Sequence, residues 1–143
     1  MIYFDSAYLA KCHLPEPGDR EARILAQNAG RLKSVAFAKI EVAAVFTGTC
    51  VKDACVRPST RNCDSIHPRL HRRAHLVLPI TPALLDAARA VFQTLPPTLL
   101  LRPADCLHLC SAKEAGFKEI YSNDRHLLAA ATHFGLRGSD VTA

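Results

Sequence analysis

Apolar and polar positions follow two rhythms along this chain: short apolar runs, and longer stretches in which apolar residues recur at helical spacing. Met1-Ile2-Tyr3-Phe4 is a β-prone run stopped by Asp5-Ser6, and Ala7 to His13 has helical composition until Leu14-Pro15-Glu16-Pro17-Gly18 breaks it. Arg20 to Gly30 reads as a second helix ending on a natural C-cap residue. Arg31 to Ala38 carries Leu32, Val35 and Phe37 as a strand, and Lys39 to Thr47 follows as a third, largely buried helix that Gly48 ends. Thr49 to His75 differs, with Pro58, Pro68 and weak periodicity, and reads as loop plus helix. Leu76-Val77-Leu78-Pro79-Ile80-Thr81 returns to strand composition, and Thr81-Pro82 is an N-cap and first-turn pair for a helix from Ala83 to Leu95. Pro103 opens a helix to Gly116, Phe117 to Tyr121 reads as a strand, and Arg125 to Phe134 as a closing helix before Gly135.

Strands alternating with helices predict an α/β domain, a parallel sheet covered by helices on its faces. The 143 residues suit one compact domain with a core large enough to fold without disulfides or metal. The six glycines are scattered and form neither the dinucleotide fingerprint nor the Walker A pattern, which sets aside nucleotide-cofactor enzymes. No apolar run approaches the length of a membrane span, and the N-terminus lacks the basic and apolar regions of a secretory signal. The expectation is a cytoplasmic protein without membrane contact, whose six cysteines are free thiols. Lys+Arg 18 against Asp+Glu 13 gives a net charge of +5, a lean toward phosphate-rich partners.

In a basic protein the placement of acids is informative. Asp5 and Asp124 each follow a strand, where an open parallel sheet binds its ligands. Asp105 lies in a helical first turn, and Glu41 sits in Ile40-Glu41-Val42-Ala43-Ala44-Val45-Phe46, which offers no polar stripe. Each has a plain reading: Asp5 and Asp124 as N-caps, Asp105 as a partner of the helix dipole, Glu41 at the surface. Together they read as a crevice of carboxylates, which stay ionised side by side only beside a cation. Oxygen ligands point to Mg²⁺ or Mn²⁺ and to phosphodiester chemistry with a metal-activated water.

Four segments carry a resemblance to PIN domains. Met1-Ile2-Tyr3-Phe4-Asp5-Ser6-Ala7 resembles their opening, Ile40-Glu41-Val42-Ala43 their glutamate helix, Ala104-Asp105-Cys106-Leu107-His108-Leu109-Cys110-Ser111-Ala112 their D-A-x-H-L-A helix, and Ser122-Asn123-Asp124-Arg125-His126-Leu127 their T-x-D-x-x-L ending. Order and spacing fit nearly the whole chain; Cys106 and Cys110 stand where the family commonly has Ala. The resemblance implies a single PIN domain over residues 1–143, a PIN-domain-like parallel β-sheet flanked by helices in an α/β/α sandwich. It further implies a metal-dependent ribonuclease similar to VapC-type toxins of VapBC toxin-antitoxin pairs, acting on structured RNA such as tRNA or rRNA. Asp5, Glu41, Asp105 and Asp124 would then carry Mg²⁺ or Mn²⁺ and the catalysis, with Ser6 and Asn123 supporting the site by hydrogen bonding. A homodimer and a small antitoxin that blocks the site complete what the resemblance implies.

The segment from Arg57 to His75 sets Arg57, Arg61, Arg69, Arg72 and Arg73 against one acid, Asp64, with His67, His71 and His75 interleaved. It reads as an RNA-binding arm, since arginine neutralises phosphate without choosing sequence, or as a solvated basic face. A rival from another class is a zinc-containing nucleic-acid-binding module built on Cys50, Cys55, Cys63, His67 and His71, although the spacing is not a paired C-x₂-C knuckle. A third is a catalytically silent PIN fold that only binds. His108 reads as a core histidine or one that buttresses the site, rather than as a ligand, and Tyr3, Tyr8 and Tyr121 as core-edge residues rather than stacking platforms.

Overall fold

The computed structural model describes residues 1–46 and 75–141. Thr47, where the third helix was expected to end, and residues 49–74 of the Cys-, His- and Arg-rich segment lie outside the described residues.

The described elements in chain order are β1 (Ile2–Tyr3), α1 (Ser6–Lys11), α2 (Asp19–Ala29), β2 (Leu32–Val35), α3 (Ala38–Phe46), β3 (His75–Leu78), α4 (Pro82–Thr94), α5 (Pro103–Glu114), β4 (Glu119–Tyr121), α6 (Arg125–Ala131) and β5 (Arg137–Ser139). A 3₁₀ turn over Thr132–Phe134 follows α6, so the closing helix ends earlier than its composition suggests. Pro79 ends β3 at Leu78, short of the expected Thr81, because proline has no N–H to offer a ladder. Thr81 does cap α4, its side chain accepting the Leu84 amide at 3.1 Å, with Pro82 in the first turn.

All strand pairs among the described residues are parallel. β1 pairs with β2 in the register Ile2 to Leu32, and β2 with β3 in the register Leu32 to His75 through Val35 to Leu78. β4 pairs with β5, a strand that the sequence reading did not include. A lone bridge between Phe4 and Tyr121 joins the two groups of strands, giving the order β3-β2-β1-β4-β5. At the far edge, β5 packs against α6 through Gly138. A Cβ there would stand 2.9–3.0 Å from Leu128, including its backbone, so only glycine permits the approach.

Neighbouring side chains on β1 enter opposite cores, as the pleat requires. Tyr3 lies on one face with Val35, Ile120, Leu109 and Leu127 under α4, α5 and α6. Phe4 lies on the other with Tyr8, Ala22, Leu32 and Val42 under α1, α2 and α3. Helices on both faces of a parallel sheet make the α/β/α arrangement expected from the sequence. No helix among the described residues is long and apolar enough to cross a membrane.

Candidate functional site

The carboxyl ends of β1 and β4 meet at the bridge between the two strand groups, and a network of hydrogen bonds links the candidate acids around it. Asp5 leaves β1 and becomes the N-cap of α1, its Oδ1 accepting the Tyr8 amide at 2.8 Å. Asp124, just past β4, caps α6 and accepts the amides of His126 at 2.8 Å and Leu127 at 3.3 Å through Oδ1. The capping and crevice readings of these two residues are therefore compatible, because each uses one oxygen as a cap and turns the other inward. Ser122 joins them. Its Oγ donates to Asp5 Oδ2 at 2.5 Å and accepts the Asp124 backbone N–H at 2.9 Å.

Asp105 comes from the first turn of α5 and is buried. Arg102, immediately before the helix, donates through Nε to Asp105 Oδ2 at 2.8 Å, and its Nη2 also reaches Asp124 Oδ2. Glu41 projects from α3, and its Oε2 lies 3.0 Å from Nε2 of the fully buried His108, one turn beyond Asp105 on α5. His108 Nδ1 stands 3.3 Å from the Tyr3 hydroxyl, which accepts the Val35 N–H at 3.1 Å. Since that amide takes a Tyr3 lone pair, the Tyr3 proton is available to Nδ1, leaving Nε2–H to donate to Glu41; the tautomer is inferred from this network.

The electrostatics of the acids differ. Burial raises the Asp5 carboxyl to about 6, against the opposing pull of His108 and of the Ser122 and Tyr8 hydrogen bonds, and the charge of Glu41 raises it further. Burial also raises Asp124, but the two α6 amides and the Arg102 guanidinium outweigh it and hold that carboxyl below its usual range.

Of the two residues expected to support the site by hydrogen bonding, Ser6 is half-buried in the first turn of α1 and Asn123 is exposed. The bridge between Asp5 and Asp124 is made by Ser122, because side chains alternate past the strand end, with Ser122 buried and Asn123 exposed. Arg102 was not singled out from the sequence. Its only signal was the three-residue spacing to Asp105 across a helix start. Arg57, Arg61, Arg69, Arg72 and Arg73, and the zinc candidates Cys50, Cys55, Cys63, His67 and His71, lie outside the described residues. Cys12, Cys106 and Cys110 are free thiols.

Among the described residues no three His, Cys, Asp or Glu side chains are gathered closely enough to hold a metal ion. The positive charge between Asp105 and Asp124 is the Arg102 guanidinium. The donor set nevertheless suits a hard divalent cation, being all carboxylate oxygen. Asp5, at 4% exposure and hydrogen-bonded by neutral donors, is a desolvated carboxylate that such a cation would stabilise. Asp5, Glu41, Asp105 and Asp124 are the residues that would hold it.

Comparison with solved structures places this geometry in a known fold. The crystal structure of FitAcB from Neisseria gonorrhoeae is similar at a TM-score of 0.60 and 17% identity, with 96% of each chain covered. The structure of FitAB bound to an IR36 DNA fragment is similar at a TM-score of 0.60 and 15% identity, covering 98% of this chain and 94% of that one. No curated protein matches the sequence. The PIN-domain family model matches residues 2–132, a span that includes every acid of the crevice, and the chain belongs to the PIN-domain family.

Proposed function

We propose that this protein is a metal-dependent endoribonuclease, a single PIN domain over residues 1–143 and the VapC-type toxin of a toxin-antitoxin pair. PIN domains are generally nucleases and usually use divalent metal ions. What supports the narrower reading is the hydrogen-bonded network in which Ser122 joins Asp5 to Asp124, Arg102 joins Asp124 to Asp105, and His108 of the same helix as Asp105 holds Glu41.

Bound Mg²⁺ or Mn²⁺ would supply the charge that activates water and stabilises the leaving oxygen of a phosphodiester. The chain's own residues do the remaining work. Asp5 and Asp124 are fixed as caps, so their inward oxygens are oriented before any ligand arrives. Ser122 keeps the two a fixed distance apart, and His108 holds Glu41 facing the same space. Glu41 Oε1 is not taken up by the hydrogen bond to His108, and in this reading it is the oxygen Glu41 would offer the metal. The positive charge of arginines 57, 61, 69, 72 and 73 suits the phosphates of structured RNA such as tRNA or rRNA. The homodimer and the small antitoxin rest on what the resemblance of the four sequence motifs to PIN domains implies.

The test is cleavage of a structured RNA pool by protein freed of partners, with Mg²⁺ or Mn²⁺, with chelator, and with Asp5→Asn. Cleavage is expected only with metal and the native aspartate, and the substitution should reduce the rate by at least about a hundredfold. Equal cleavage by wild type and a well-folded Asp5→Asn protein defeats the reading.

A further inference from the structure

Arg102 ties together two acids that come from different helices. Its Nε and Nη2 face Asp105 as a fork, at 2.8 Å to Oδ2 and 3.4 Å to Oδ1, while Nη2 also meets Asp124 Oδ2. Two carboxylates brought together by separate elements repel one another, and a guanidinium between them removes that repulsion. Arginine is suited to the place because its planar fork matches carboxylates and its charge is permanent.

The surroundings of Arg102 make this a removable contact. Its side chain is 57% exposed, whereas those of Asp105 and Asp124 are 9% and 21% exposed. It borders an open cavity of about 360 Å³, shared with Leu100, Leu101 and His126. The guanidinium can therefore swing out without disturbing the buried residues of α5 and α6. The acids, held by α5 and by the α6 cap, stay behind.

We propose that Arg102 is an internal counter-ion that occupies the metal's electrostatic place: it holds Asp105 and Asp124 in the metal-free protein and is displaced when a divalent cation binds. The inference rests on the reading of this crevice as a metal centre. It makes metal affinity a competition within the molecule. Metal binding has to break an ion pair that the metal-free protein already has, and the metal-free protein is spared the full repulsion of its acids.

Mn²⁺ titration of chelator-stripped protein, followed by calorimetry and by the electron paramagnetic resonance of free Mn²⁺, compares wild type with Arg102→Gln and Arg102→Lys. Arg102→Gln is expected to bind Mn²⁺ about three- to fivefold more tightly, the size of an exposed ion pair removed from competition. Without metal, its Tm should fall by about 2–4 °C, and saturating Mn²⁺ should close that gap. Arg102→Lys, which keeps the charge but loses the fork, should fall between the two. Wild type that binds Mn²⁺ and an Arg102→Gln protein of unchanged circular dichroism that binds it equally or more weakly would overturn this inference alone. Absence of Mn²⁺ binding by all three proteins would overturn the metal-centre reading and the inference together.

Discussion

The two flanks of the crevice manage negative charge differently. On the α5 and α6 flank, Asp105 and Asp124 share a permanent cation, Arg102, and Asp124 also accepts two helix amides. On the α1 and α3 flank no guanidinium or ammonium is paired with the acids among the described residues. Asp5 is hydrogen-bonded by the Tyr8 amide and the Ser122 hydroxyl, and Glu41 by an imidazole. The outcome is opposite in sign: Asp124 is more acidic than an ordinary aspartate and Asp5 less so. Partnered charge stabilises the fold, whereas charge buried among neutral dipoles costs stability until something positive arrives.

That contrast is open to direct attack by substitution. With chelator present, Asp5→Asn should make the protein more stable at pH 7 by about 3 kcal/mol, since one pKa unit corresponds to about 1.4 kcal/mol. The sign follows from Asp5 titrating at about 6 when folded and near 3.8 when unfolded. The folded state then binds more protons between those values, so wild-type stability is greatest below the unfolded value and is lost as pH rises through the folded one. The advantage of Asp5→Asn should accordingly shrink below pH 6 and vanish near pH 4. Asp124→Ala should do the reverse, lowering stability by about 1 kcal/mol through loss of a helix cap. Urea denaturation over this pH range checks both, and a destabilised Asp5→Asn protein at pH 7 would remove the contrast.

Tyr3→Phe probes the neutral network on the Asp5 flank. It leaves the Val35 N–H and His108 Nδ1 without their hydroxyl partner, and it should cost about 1–2 kcal/mol in the same measurement. The smallest effect concerns binding rather than folding. Arg72→Ala with Arg73→Ala should leave stability unchanged, weaken RNA binding, and lower the slope of log affinity against log salt by about 1–2. An unaltered slope would remove these arginines from the RNA surface.

The parts of this molecule legible in the sequence are those specified by local chemistry. Asp5-Ser6 closing an apolar run, Thr81-Pro82 before a helix and Pro103 at a helix start are contact-free signals, and the elements they mark are present. The strand β5 was illegible because Arg137-Gly138-Ser139 has no apolar alternation; it exists because Gly138 lets it lie against α6 and its backbone pair with β4. Within the site, the four acids stood out as charges in apolar surroundings, but their connections did not. Arg102 looks like any surface arginine until α6 brings Asp124 to it, 22 residues later. Glu41 and His108 are 67 residues apart, and Ser122 reads as an ordinary serine beside the more conspicuous Asn123.

The single bridge between Phe4 and Tyr121 has a consequence for synthesis of the protein. The crevice straddles this seam, and the Ser122 hydroxyl that binds Asp5 lies 117 residues further along the chain. A ribosome therefore releases Asp5 and Glu41 long before the segment that completes their surroundings. A chain arrested before β4 carries the first acids but cannot assemble the crevice, so a truncated product lacks the completed site.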